Sequence, residues 1–185
     1  MQLRNNAARY GAVAQLFHWT IVALIVTQFI LANKGHNLPV GPSKIATLAQ
    51  HKSVGITILG LAILRLLWRW LNPVPDTPPS TPGWQRRAAR VSHFMLYSLL
   101  LTIPVVGWLM SSARNFPVSW FGIFTLPDFI EPNRNAYEFL HGLHETLAAI
   151  LFVIALVHIA AALKHHFIDR NNILRRMLPV KLRDM

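Results

Sequence analysis

Residues 144–158 read HETLAAILFVIALVH, two histidines bracketing thirteen residues of which only Glu145 is charged. Wound as an α-helix at about 100° and 1.5 Å per residue, the stretch makes four turns less about 40° and climbs roughly 21 Å between its imidazoles. His144 and His158 therefore leave one face of one helix at two depths. The apolar run extends outward from Leu140 to Leu163, enough to cross the roughly 30 Å of hydrocarbon in a bilayer.

The rest of the chain has the same character. Of 185 residues, 53% are hydrophobic and only 14% charged, with a mean hydropathy of +0.37, which is too apolar for a water-soluble domain of this length. Three further blocks match the fourth in length: Val13–Leu31, His51–Leu71 and Val91–Met110. The expected fold is an all-α integral membrane protein, a bundle of four transmembrane helices forming a single domain over residues 1–185. The first block is expected to be retained, since it is too long for a signal peptide and no small-residue cleavage site follows it. With no cysteine, disulfides, thiolate catalysis, cysteine-held iron–sulfur clusters and thiolate-ligated haem are excluded.

The net charge of +11 is an orientation signal rather than a nucleic-acid footprint. Four spans put both termini on one side. That side carries Arg4, Arg9, Arg86, Arg87, Arg90, Lys164, Arg170, Arg175, Arg176, Lys181 and Arg183, whereas the other has Lys34, Lys44, Arg114 and Arg134, with Lys52 at a helix mouth. The positive-inside rule then makes both termini cytoplasmic. The connection from Asn72 to Trp84, NPVPDTPPSTPGW, has five prolines and is expected to be extended and cytoplasmic. The segment over residues 111–139 is rich in Phe, Trp and Pro and is expected to lie in the periplasmic interface as a cap on the bundle. Gly107, Pro104, Ser111 and Ser112 allow a close approach or a kink near the end of the third span.

A histidine inside a span faces the bundle and needs a partner. His18 lies about five residues inside the cytoplasmic end of the first span and His158 about five from the cytoplasmic end of the fourth. At the other side His51 opens the second span and His144 sits about one turn into the fourth. Two pairs at two depths, without thiolates or clustered carboxylates, suit bis-imidazole ligation of two b-type haems. A transported metal would want its ligands at one depth. Spacing leaves His93 as a rival to His18 and His141 as a rival to His144.

Arg65, fourteen residues after His51, falls at the depth of the cytoplasmic pair, where a guanidinium calls for an anion such as a haem propionate; Lys52 and Arg69 are weaker candidates for the same task. Gly55, one turn after His51, would let a flat macrocycle approach. His165, seven residues after His158, sits at the cytoplasmic boundary and is placed to hydrogen-bond a quinone carbonyl and pass a proton.

Seven segments carry a family resemblance: FHW at 17–19, HKSVG at 51–55, LRLLWR at 64–69, HFMLY at 93–97, PVVGWLMSSA at 104–113, HETLA at 144–148 and HIAAALKHHF at 158–167. In order and spacing the chain resembles the bacterial cytochrome b561 family, diheme cytochromes b of the inner membrane. The resemblance implies that His18 and His158 hold a cytoplasmic haem and His51 and His144 a periplasmic one, which sets His93 and His141 aside. At least one member of that family takes electrons from superoxide at the periplasmic face and reduces ubiquinone near the cytoplasmic haem. The position of its quinone-contacting histidine matches His165. That member also uses a lysine in the loop between helices two and three, and PDTPPSTPGW has none. Lys34, Lys44 and Lys52 would draw an anionic donor to the outer haem. The expected function is electron transfer from a periplasmic donor to ubiquinone; the alternative is a cytochrome b anchor subunit fed by a docked dehydrogenase.

Overall fold

A computed structural model describes residues 2–78 and 81–178; Lys181 and Arg183 of the basic tail lie outside the described residues. Four helices dominate: α1 (Ala12–Asn37), α2 (Pro42–Leu71), α3 (Gly83–Ala113) and α4 (Arg134–Phe167). Each is long and apolar enough to span a membrane. All four run past the apolar blocks that announce them, because nothing stops a helix at the hydrocarbon boundary when the flanking residues are themselves good helix formers. The longest extension at a single end is that of α2, which opens at Pro42 in the first turn, where a missing N–H costs nothing. His51 consequently lies in the third turn of α2, not at its mouth.

α1 packs on α2, α2 on α3 and α3 on α4, whereas α4 approaches the backbones of α1 and α2 at few points. The best-buried contacts are on the α1–α2–α3 side, where Ile21, Val54, Ile58, Ala62 and Leu100 form one cluster. Ala62 is 0% exposed and lets α2 come close to its neighbours. On α4 only Leu151 is fully buried, so this helix turns most of its apolar surface outward, as a lipid-facing span does. Side chains bridge the space between α1 and α4, including Phe29 and Phe152, whose rings meet edge to face at 5.4 Å.

The segments outside the helices close the two ends differently. At the end bearing both termini, Asn5 donates to Pro73 O (2.9 Å), the Asp76 N–H donates to Ala7 O (3.1 Å), and Arg176 donates to Asp76 O. Gln15 Nε2 and Trp19 Nε1 donate to Arg176 O and Met177 O at 3.2 and 2.9 Å. The proline-rich connection, the N-terminal segment and the tail after α4 are thus tied together, each satisfying backbone groups that its prolines and turns leave free. The proline run has no regular structure over residues 73–78, and α3 starts directly after Pro82.

At the opposite end the apolar segment after α3 forms a small antiparallel hairpin, β1 (Ser119–Trp120) with β2 (Phe124–Thr125). Its turn places Phe121 and Gly122 at φ 47° and 76°. Ser53, 2% exposed on α2, accepts from the Phe121 N–H (3.0 Å) and lies 3.0 Å from Ser119 O, while Trp120 Nε1 donates to Thr57 Oγ1 (3.1 Å). Trp108 Nε1 donates to Pro127 O at 3.0 Å. These polar ties are invisible to hydropathy, which suggests only a segment at the interface. Replacing Ser53 with Ala removes the hydroxyl and leaves the Phe121 N–H without this partner, so a loss of about 0.5–1.5 kcal/mol is expected. Faster amide hydrogen exchange over residues 118–126, with exchange of the α2 core unchanged, is the measurement that checks it.

Candidate functional site

Four helices bring five histidines into two groups. Toward the end with the termini, His18 of α1 and His158 of α4 face one another with ring centres 6.5 Å apart and planes at 67°. His93 of α3 joins them, 5.4 Å from His158. Toward the other end, His51 of α2 and His144 of α4 are 6.2 Å apart at 71°. The helical rise between His144 and His158 separates the groups by roughly 21 Å along α4.

The pair at the end away from the termini has a built surround. His144 Nδ1 lies 3.1 Å from Ile103 O, a carbonyl that can only accept, so Nδ1 carries the proton and Nε2 keeps its lone pair. Gly107, one turn beyond Ile103, makes that contact accessible: a Cβ there would sit 3.0 Å from His144 Cε1 and 3.2 Å from Nδ1. Nδ1 of His51 and Nδ1 of His18 are buried and lack hydrogen-bond partners among the described residues. Gly55 is covered by Gln28, whose Nε2 would lie 3.1 Å from an added Cβ.

Arg65, six residues before the end of α2, has its guanidinium over the Tyr97 ring at 5.6 Å and no carboxylate partner among the described residues. A guanidinium within a span and without an anion is costly.

Residues 9–180 match the family described as prokaryotic cytochrome b561. The chain belongs to that family. It is 35% identical to cytochrome b561 homolog 2 of Escherichia coli K12 over 179 residues, covering 96% of this chain and 95% of that protein. Identity to cytochrome b561 homolog 1 of the same strain is 30% over 173 residues, 92% of this chain and 97% of the relative. A probable superoxide oxidase, CybB, of Yersinia pestis is 30% identical over 131 residues, covering 71% of this chain and 74% of its own length. This cytochrome b561 relative is therefore a multi-pass bacterial membrane protein, a b-type cytochrome that works in electron transfer.

The remaining residues singled out in the sequence of this cytochrome take other positions. His141 points away from His51, with Nε2 3.6 Å from Glu145 and its ring 5.7 Å from Tyr137. Lys52 is engaged at the end away from the termini, donating to Phe116 O (3.1 Å) and lying over the Phe116 ring. An anion at the histidine group nearer the termini is out of its reach, because Lys52 directly follows His51 and more than three helix turns separate it from Arg65. His165 is held at the foot of α4, its Nδ1 2.8 Å from Asp169 Oδ2. The Ile103 carbonyl and Asp169 carry no mark in the sequence, since both act through the fold of a neighbouring segment. Gly107 was visible only as a small residue in an apolar span.

Proposed function

We propose that this cytochrome carries two b-type haems, one between His18 and His158 and one between His51 and His144, and moves electrons across the membrane to ubiquinone. The ring separations carry this reading. A metal held between two facing imidazoles by bonds of about 2.0–2.1 Å would set their ring centres about 6.3 Å apart. The two proposed pairs, at 6.5 and 6.2 Å, fit that length, and the His93–His158 separation of 5.4 Å is too short for it. The donor chemistry fits as well: a lone pair freed on His144 Nε2, and an Arg65 that has the Tyr97 ring but no carboxylate partner among the described residues, which a propionate would supply.

Bound haem supplies reversible one-electron chemistry. The chain's own residues orient the imidazoles, exclude water with apolar helix faces and provide the proton-active His165 at the quinone end. The basic excess at the end with the termini supports a cytoplasmic setting for that end in the bacterial inner membrane. The likeness to a probable superoxide oxidase supports superoxide as donor. Two superoxide anions would each surrender one electron and leave as O2, while one ubiquinone takes up two electrons and two protons. Lys34 and Lys44, at the outer end, favour an anionic donor.

A pyridine-haemochrome assay against protein concentration tests the reading, with about two haems per chain expected. A ratio near one removes one of the pairs, and no haem overturns the whole assignment. Ubiquinone reduction by the purified protein under a superoxide flux is expected; a stoichiometric soluble subunit copurifying with it would replace this with the anchor-subunit role.

A further inference from the structure

Beyond the end of α4 the chain turns back on itself and brings a carboxylate onto His165. Asp169 Oδ2 lies 2.8 Å from His165 Nδ1, and Lys164 Nζ holds both oxygens of the same carboxylate at 2.8 and 2.7 Å. The turn is itself anchored, with the Asp169 N–H donating to Lys164 O (3.1 Å) and the Asn171 N–H to His165 O (3.0 Å). The Asn171 amide nitrogen Nδ2 is 3.2 Å from the same Nδ1, a longer approach than the carboxylate's 2.8 Å and no hydrogen bond when Nδ1 carries the proton, and Asn171 Oδ1 accepts from the Ile173 N–H. His165 is nearly covered, at 14% side-chain exposure. Asp169 and Asn171 also line a cavity of about 290 Å3 with Thr81, Pro82 and Gln85, and the carboxylate, 29% exposed, is reached by water.

We propose that Asp169 is a positioning residue for quinone reduction: it fixes the proton of His165 on Nδ1 and leaves Nε2 as the nitrogen offered to the quinone. This rests on the reading of His165 as the quinone-contacting residue. The hydrogen bonds from Lys164 push the Asp169 carboxyl below its usual range, so the carboxylate is ionised and only accepts. An acceptor at 2.8 Å requires a donor opposite it, and on an imidazole edge that donor is Nδ1–H. The ring is then locked in rotation and in tautomer, with Nε2 on its far side. During turnover Nε2 passes a proton to the quinone carbonyl oxygen it faces and is reprotonated from solvent; the second quinone oxygen takes its proton from solvent, and with two electrons the quinol is complete.

The test uses the purified holoprotein with selectively 15N-labelled histidine, in the reduced state and above the imidazole titration range, together with steady-state reduction of a short-chain ubiquinone. The His165 signals are assigned by their loss in His165→Gln. The wild type is expected to show the Nδ1–H tautomer. Asp169→Ala should give a mixture of tautomers and a kcat lowered roughly tenfold, with KM changed less and both haem spectra unaltered. Asp169→Asn, whose amide oxygen still accepts from Nδ1–H, should keep the tautomer and most of the rate, which a simple loss of helix-end stability would not produce. An Asp169→Ala protein with the wild-type tautomer, or with unchanged kcat, overturns the proposal. Normal quinone turnover in His165→Gln would instead sink the placement of the quinone, and the tautomer measurement would still judge Asp169.

Discussion

His158→Ala is expected to lower the haem content from about two per chain to about one and to abolish ubiquinone reduction, while the remaining haem is still reduced from the outer side. The expectation follows from how α4 is held. It packs on α3 and approaches α1 at few points, so His158 is the α4 imidazole that faces His18 at this depth. Removing it leaves His18 without an opposing ligand at a bis-imidazole separation, and His93 stands on a different helix with its ring against the site of the lost one. His93→Ala is the matched control and should retain about two haems, because its 5.4 Å spacing from His158 is shorter than the roughly 6.3 Å that a shared axial metal sets. Haemochrome ratios and reduced-minus-oxidised spectra of the two variants read this directly. If His93→Ala loses a haem and His158→Ala does not, the inner pair is misassigned.

Gly107→Val should empty the outer site with comparable effect, although position 107 offers no ligand. Even a single Cβ would stand 3.0 Å from His144 Cε1 and 3.2 Å from Nδ1, tighter than ordinary van der Waals contact. With Ala the imidazole has to give by a few tenths of an ångström, stretching the 3.1 Å contact to Ile103 O; the haem should stay bound and its midpoint potential should shift. With Val the two extra methyls force the ring away from Ile103 altogether. Overpacking of this kind costs about 1–3 kcal/mol, and the lost hydrogen bond roughly 1 more. His144 Nε2 then no longer points toward His51. The expected readout is a haem ratio near one, with the inner haem spectrum and redox titration preserved. A Gly107→Val protein with both haems and both wild-type potentials would show that His144 does not act as an outer ligand.

The two variants also mark where sequence reasoning reaches and where it stops. His158 announces itself: a histidine in a run of Leu, Ile, Val and Ala is expensive in lipid, and the helical rise assigns it a depth without any knowledge of the neighbours. Gly107 does not, because a glycine in a membrane span is compatible with helix packing, a kink or nothing at all. Only the side chain it meets, on another helix, decides among these. His141 and His144 differ in the same way. They are three residues apart and nearly equal in depth, and the rotation of α4 against its neighbours turns His144 toward His51 and leaves His141 with Glu145 of its own helix.

From its sequence alone this protein was determined to be a four-span membrane bundle with histidines at two depths, because the length of an apolar run and the rise per residue are local properties of the chain. Tertiary structure decided which histidines meet, how far the helices outlast the apolar blocks, and that the greasy segment after α3 is a hairpin tied to Ser53 and Thr57. It also decided that a backbone carbonyl at Ile103 and a carboxylate at Asp169 each orient an imidazole. Those outcomes depend on azimuth and on contacts between residues distant in the chain, which depth and hydropathy do not encode.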